Sequence, residues 1–175
     1  MHGVLATEDR EMLNYLEPGN DFAGKGIYIL LIKLRADREI TIGRLGLFHF
    51  KRGIYAYVGS ALGGFKSRIR RHLKKNKKLQ WHIDYLLEFA DISDVLTIET
   101  NKRLECAVAR ALGEHFEAVL GFGSSDCKCK SHLFFSPNAR ELQLRAMEIL
   151  NLLGYNTKKF QIPRTKFQIF SNGED

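Results

Sequence analysis

Residues 53–78 read GIYAYVGSALGGFKSRIRRHLKKNKK: a strand, a glycine-rich turn and a basic helix in succession. Alternation over Ile54 to Val58 places Tyr55 and Tyr57 on one face of the strand and Ile54, Ala56 and Val58 on the other. Gly59, Gly63 and Gly64 then allow a tight exit and close approach to the backbone. On the helix, Phe65, Ile69 and Leu73 recur every fourth residue and form the stripe that faces the core. Arg68 and His72, also four apart, share one edge of that stripe, with His72 nearer the core. Arg70, Arg71 and Lys74 are expected to point further towards solvent.

The segment holds eight Lys or Arg residues, and no carboxylate occurs between Ser60 and Ile83. The whole chain carries only +7, so this one segment supplies the entire positive balance. A basic face so localised is the electrostatic footprint of a phosphate-backbone binder, whereas a helix merely kept soluble mixes signs along its face. Lys66, Arg70, Arg71, Lys74 and Lys75 are the expected backbone contacts. Arg68 and His72 form an inner pair beside a tyrosine-bearing strand. Arg neutralises developing charge bidentately and His or Tyr can move a proton, so the set suits phosphodiester chemistry.

Further residues complete a pattern: Gly26-Ile27-Tyr28 on one strand, Tyr57-Val58-Gly59 on a second, Arg68 with His72 on the next helix, and Glu105 on a later one. In this order they resemble the GIY-YIG nuclease superfamily. More narrowly, YVGSA followed by RIRRHL, WHIDYLL and DCKCKSHLF resembles the Uri subgroup, related to the nuclease domain of the nucleotide-excision-repair incision subunit and to intron-encoded endonucleases. The resemblance covers roughly residues 24 to 135. Tyr28 and Tyr57 are separated by a longer insertion than in many members, and Gly53-Ile54-Tyr55 spells the first tripeptide again. Gly26 to Tyr28 is taken as the first motif because it opens a long central strand, whereas Tyr55 shares its strand with Tyr57.

The resemblance implies a divalent-metal-dependent endonuclease. Glu105 would hold Mg²⁺ or Mn²⁺, Tyr28 or Tyr57 would orient or deprotonate the attacking water, Arg68 would clamp the phosphate, and His72 would assist. DNA is the implied partner, with RNA left open. A binding module on the same fold that does not cleave is the rival reading.

With 175 residues, 45% of them hydrophobic, the chain suits one domain with a sizeable core. There is no run of about 18 apolar residues to span a membrane, and the acidic start MHGVLATEDREML does not read as a secretory signal. Three cysteines make a poor disulfide framework, which points to a reducing cytoplasm.

The patterning predicts an α+β fold: a small, mainly antiparallel sheet of three or more strands flanked by helices. Residues 1–23 read as an N-terminal extension with a short helix at about Glu8 to Leu16, 24–135 as the nuclease-like domain, and 136–175 as a C-terminal helix and tail packed on it. Gly26 to Leu34, apolar on both faces, reads as a central strand. Arg35 to Arg38 reads as a hairpin connection with Glu39 to Ile42 its return strand. Trp81 to Leu87 reads as a helix in which His82 and Asp84 suit a structural role or the edge of a site. Asp94 to Glu99 reads as a strand. Residues 102–119 read as one helix, with Glu105 bordering its buried stripe. Cys127, Cys129 and His132 supply three zinc-type ligands with no evident fourth, so packing or loop stabilisation is the favoured reading there. Asn138 to Leu153 reads as an amphipathic helix with Leu142, Leu144, Met147, Ile149 and Leu150 on its apolar side. For the tail, an edge strand, nucleic-acid contacts and an oligomer contact all stay open.

Overall fold

A computed structural model of the chain describes residues 22–163. The helix expected at Glu8 to Leu16 and the last part of the tail lie outside the described residues. In chain order the elements are β1 (Gly26–Leu34), β2 (Arg38–Ile42), β3 (Gly46–Phe50), β4 (Gly53–Ala61), α1 (Phe65–Leu73) and α2 (His82–Leu87). There follow β5 (Asp91–Glu99), α3 (Glu105–Gly113), β6 (Glu117–Ala118), β7 (Leu133–Ser136), α4 (Ala139–Leu152) and β8 (Lys158–Gln161).

The apolar nine-residue β1 is the structural centre. β4 pairs with it on one side and β5 on the other, both antiparallel and over almost its full length. β7 and β6 extend the sheet beyond β4, and β8 extends it beyond β5, giving the order β6-β7-β4-β1-β5-β8 with every pair antiparallel. Because side chains alternate across a strand, β1 serves two cores. Tyr28, Leu30, Ile32 and Leu34 pack with Phe65, Ile69 and Leu73 of α1 and Ile83 and Leu86 of α2. Ile27, Ile29 and Leu31 face the other way, against Val108 and Leu112 of α3 and Leu142, Ala146, Ile149 and Leu150 of α4. The fold is α+β: one antiparallel sheet between two pairs of helices, with α4 and β8 on the same sheet as the rest.

Three expectations are corrected. Glu39 to Ile42 does not return along β1. Both edges of β1 are occupied by the nine-residue β4 and β5, so β2 pairs with β3 in a separate two-stranded ribbon. Ile40, Ile42 and Phe50 of that ribbon join the core on the α1 and α2 side. The helix expected over residues 102–119 is shorter: it ends at Gly113, and Glu117–Ala118 pair with β7 instead. A helical interior disfavours glycine, and the ladder to β7 satisfies the backbone beyond it. On α4, Leu144 is exposed, not core-facing. The tail to Gln161 takes the edge-strand option, on β5. Among the described residues no helix is long and apolar enough to cross a membrane.

Candidate active site

The register of β1 against β4 sets Tyr28 opposite Gly59 and Leu30 opposite Tyr57. At this end of the sheet a cleft of about 590 Å³ opens, lined by Tyr28, Tyr57, Arg68, Trp81, His82 and Glu105, with Asp126 and His132 from the loop before β7. Three stretches far apart in sequence thus deliver Tyr28, the pair Tyr57 and Arg68, and Glu105 to one concavity. Tyr55, of the second GIY tripeptide, is elsewhere: its hydroxyl donates to the Lys51 carbonyl at 2.6 Å and its ring packs on Phe50 and Phe135.

The ring of Tyr28 lies directly over Gly59, and a Cβ added there would overlap its hydroxyl end. Gly59→Ala is therefore expected to push Tyr28 aside at a cost of roughly 1–3 kcal/mol. Thermal unfolding and a crystal structure of the variant check this: an unchanged melting temperature with Tyr28 in place would refute it.

His72 does not line the cleft but stands behind it. It is buried, with Nε2 2.7 Å from the Tyr28 hydroxyl, and its Nδ1 has no hydrogen-bond partner among the described residues. Burial, with Lys77 adding to it, drives His72 from its ordinary 6.5 down to about 3, so the ring is neutral at physiological pH. Burial likewise raises both phenols above 10; for Tyr28 the neighbouring Tyr57 adds to this, and for Tyr57 Glu105 does. Arg68 pulls both in the opposite direction. Both hydroxyls consequently keep their protons at rest, and only added positive charge in the cleft would make either one basic.

Arg68 makes no ion pair among the described residues, and its guanidinium lies 4.6 Å from the centre of the Trp81 ring. That stacking holds a long side chain at the cleft wall while leaving its donors open. Trp81 is not among the site residues expected from the sequence; its position before the polar pair His82 and Asp84 is the one available signal.

The outer cations divide. Lys66 and Lys74 are exposed, and their side chains have no hydrogen bond or ion pair among the described residues. Lys75 pairs with Asp91 at 3.3 Å, and Arg70 is half-buried. Arg71 is a correction: it does not point to solvent as a phosphate contact but makes a bidentate pair with Asp84 at 2.8 and 2.7 Å and covers Trp81 at 3.8 Å. The reason lies in Asp84, which is fully buried and also accepts from the backbone of Gln80 and Trp81. Burial alone would raise the Asp84 carboxyl; the Arg71 and backbone donors outweigh it and hold it down at about 2. A buried charge requires such partners, so Asp84 orders α2 and His82 alone of that pair reaches the cleft, where it accepts from the Gly123 backbone at 2.9 Å.

Glu105 opens α3. It is half-buried and has no hydrogen bond or ion pair among the described residues. A carboxylate in the first turn lies where the free backbone N–H groups favour negative charge. Beside it, Cys106 turns towards the 121–132 loop and joins Cys127, Cys129 and His132, with all four donor atoms within 4.8 Å of one another. Burial, with the neighbouring thiols, pushes Cys106 up to about 12. The fourth member is not legible in the sequence because nothing local connects residue 106 to residues 127–132; the one hint is a third cysteine adjacent to Glu105.

The fold and cleft define an α+β protein that gathers tyrosine, arginine and glutamate into one open, mixed-charge site beside a basic helix. Residues 27–155 match the family described as domain of unknown function DUF123, and the chain belongs to that family. No curated protein and no solved structure matches the chain.

Proposed function

We propose that this protein is an endonuclease of the GIY-YIG type that hydrolyses phosphodiester bonds in DNA during repair or processing, in a reducing cytoplasm. The observation that carries the proposal is the convergence of Tyr28, Tyr57, Arg68 and Glu105 on one cleft. Glu105, a carboxylate with no hydrogen bond or ion pair among the described residues, faces space for water and phosphate oxygens, an arrangement suited to Mg²⁺ or Mn²⁺. Such an ion, when bound, neutralises charge developing on the scissile phosphate. Arg68, held by Trp81, grips a non-bridging oxygen of the same phosphate. Tyr28 and Tyr57 border the space where the attacking water would stand. His72 Nε2 shares a hydrogen bond of 2.7 Å with the Tyr28 hydroxyl, which fixes the direction of that phenol at the cleft wall. At about 3, His72 is too weak a base to take the proton for good, so its part is to orient Tyr28.

Nicked, flapped and branched DNA, with single-stranded RNA as a further arm, incubated with and without Mn²⁺ tests the reading. Metal-dependent cutting of at least one DNA form is expected. Binding without cutting on every form would replace it with the non-catalytic module.

The exposed Lys66 and Lys74 set the grip on the backbone. Each phosphate contact contributes about 0.9 to the slope of log affinity against log salt, so Lys66→Ala with Lys74→Ala should flatten the slope by about 2. Fluorescence anisotropy across a salt series measures it. An unchanged slope would move the DNA path off this helix.

A further inference from the structure

Cys106, Cys127, Cys129 and His132 reach one point from the first turn of α3, from the 121–132 loop and from the residue that leads into β7. Cys127 Sγ lies 3.4 Å and Cys106 Sγ 3.9 Å from His132 Nε2. Zinc bonds of about 2.3 Å to sulfur and about 2.0 Å to nitrogen set the corners of a tetrahedron roughly 3.5–3.8 Å apart, so these donors stand close to the spacing one ion needs. The other ring nitrogen, Nδ1, faces the Val58 carbonyl at 3.4 Å. A backbone acceptor at Nδ1 assigns the proton there and leaves the Nε2 lone pair for a metal. All three cysteines are free thiols.

We propose that these four residues form a structural zinc site that ties the start of α3 to the 121–132 loop and to the middle of β4 at Val58. The ligand set is closed, three sulfurs and one nitrogen, with no position left for water or substrate, which is the pattern of a structural site and not a catalytic one. Thiolates select zinc over Mg²⁺ or Mn²⁺, so this centre is distinct from the carboxylate in the cleft. Its position gives it a task. Cys106 follows Glu105 directly, and His132 is anchored on both sides: its backbone N–H donates to the Phe122 carbonyl at 2.8 Å, and its carbonyl accepts from Val58 N–H at 2.9 Å. A Cβ on Gly123, whose φ is +71°, would press on both His132 and Tyr57. One ion would therefore hold the Glu105 end of α3 in register with the middle of β4, where Tyr57 sits. The site stands whether or not the cleft cuts nucleic acid.

The full chain, purified from zinc-supplemented cells, is expected to carry one zinc per molecule by elemental analysis. Its three thiols should resist alkylation until a strong chelator removes the metal, and the melting temperature should then fall by about 10 °C or more. Cobalt exchanged into the site should give the intense visible bands of tetrahedral thiolate ligation. Cys106→Ser should lose most of the bound zinc, and that loss separates a four-ligand site from a Cys127, Cys129 and His132 clip. Wild-type protein that holds no stoichiometric zinc, or whose thiols alkylate at once or arrive joined in a disulfide, overturns the proposal, and so does Cys106→Ser with full zinc content. Metal content and thiol reactivity are read on the wild type, so a variant that fails to fold does not obscure the answer.

Discussion

Glu105→Gln is expected to lower DNA cleavage by about 10²- to 10³-fold, the usual scale for losing one electrostatic stabiliser of the transition state, while leaving DNA affinity and melting temperature almost unchanged. The prediction is sharp because of what Glu105 lacks. With no hydrogen bond or ion pair among the described residues, its carboxylate supports the fold only through its charge in the first turn of α3, about 0.3–1 kcal/mol, and glutamine keeps its size. Nor does the amide supply the negative charge that a hard cation needs. Single-turnover cutting across a Mn²⁺ titration, beside anisotropy and thermal unfolding, separates these quantities. Cutting that persists near the wild-type rate removes Glu105 from the chemistry. A large fall in melting temperature would instead make it a structural residue.

Asp84→Ala is expected to destabilise the chain by about 3 kcal/mol. That is the low end for breaking a buried ion pair, since the Arg71 side chain remains a quarter exposed and water screens it. For a chain of this size the loss corresponds to roughly 10 °C in melting temperature. The substitution strands two backbone N–H groups along with Arg71, and Arg71 in turn covers the Trp81 ring on which Arg68 rests. A loss of only a degree or two would mean that α2 is ordered by its apolar residues alone. Acid should act in the same direction. Asp84 is held at about 2 against its ordinary 3.8, so the folded state sheds this proton more readily than the unfolded chain, and its stabilisation disappears as pH falls from 3.8 towards 2. His72 reaches the same result by another route. Its depressed value means that the unfolded chain binds the proton first, so stability falls as pH drops from 6.5 towards 3. Stability measured between pH 7 and pH 3 should therefore begin to weaken near 6.5, and His72→Gln should shrink that first limb, leaving the part that belongs to His82, which burial also holds below its ordinary value.

Much of the candidate site is legible along the chain because its parts follow local periods. The spacing of Phe65, Ile69 and Leu73 buries one stripe of α1 and by itself sets His72 inward and Arg68 at the rim. Apolar residues on both faces of Gly26 to Leu34 mark the central strand, since only a strand covered on both sides tolerates that composition. Arg71 was misjudged for a reason of the same kind. Its place on the helical wheel is outward, but the buried Asp84 thirteen residues on needs a cation, and no helical period contains that need.

By itself the sequence determined the central strand Gly26 to Leu34, the strand and basic helix of residues 53–73 and the helices that begin near residues 82, 105 and 139, though not β6 or β7, because backbone periodicity and side-chain burial depend on neighbours a few residues away. Only the tertiary structure decided that β2 pairs with β3, that Asp84 takes Arg71, that Glu105 shares a cleft with two tyrosines, and that Cys106 completes a set of four donors. Each of those is a contact that no helical or strand period specifies, selected by which edges, charges and donor atoms are still unpaired once the sheet has closed around β1.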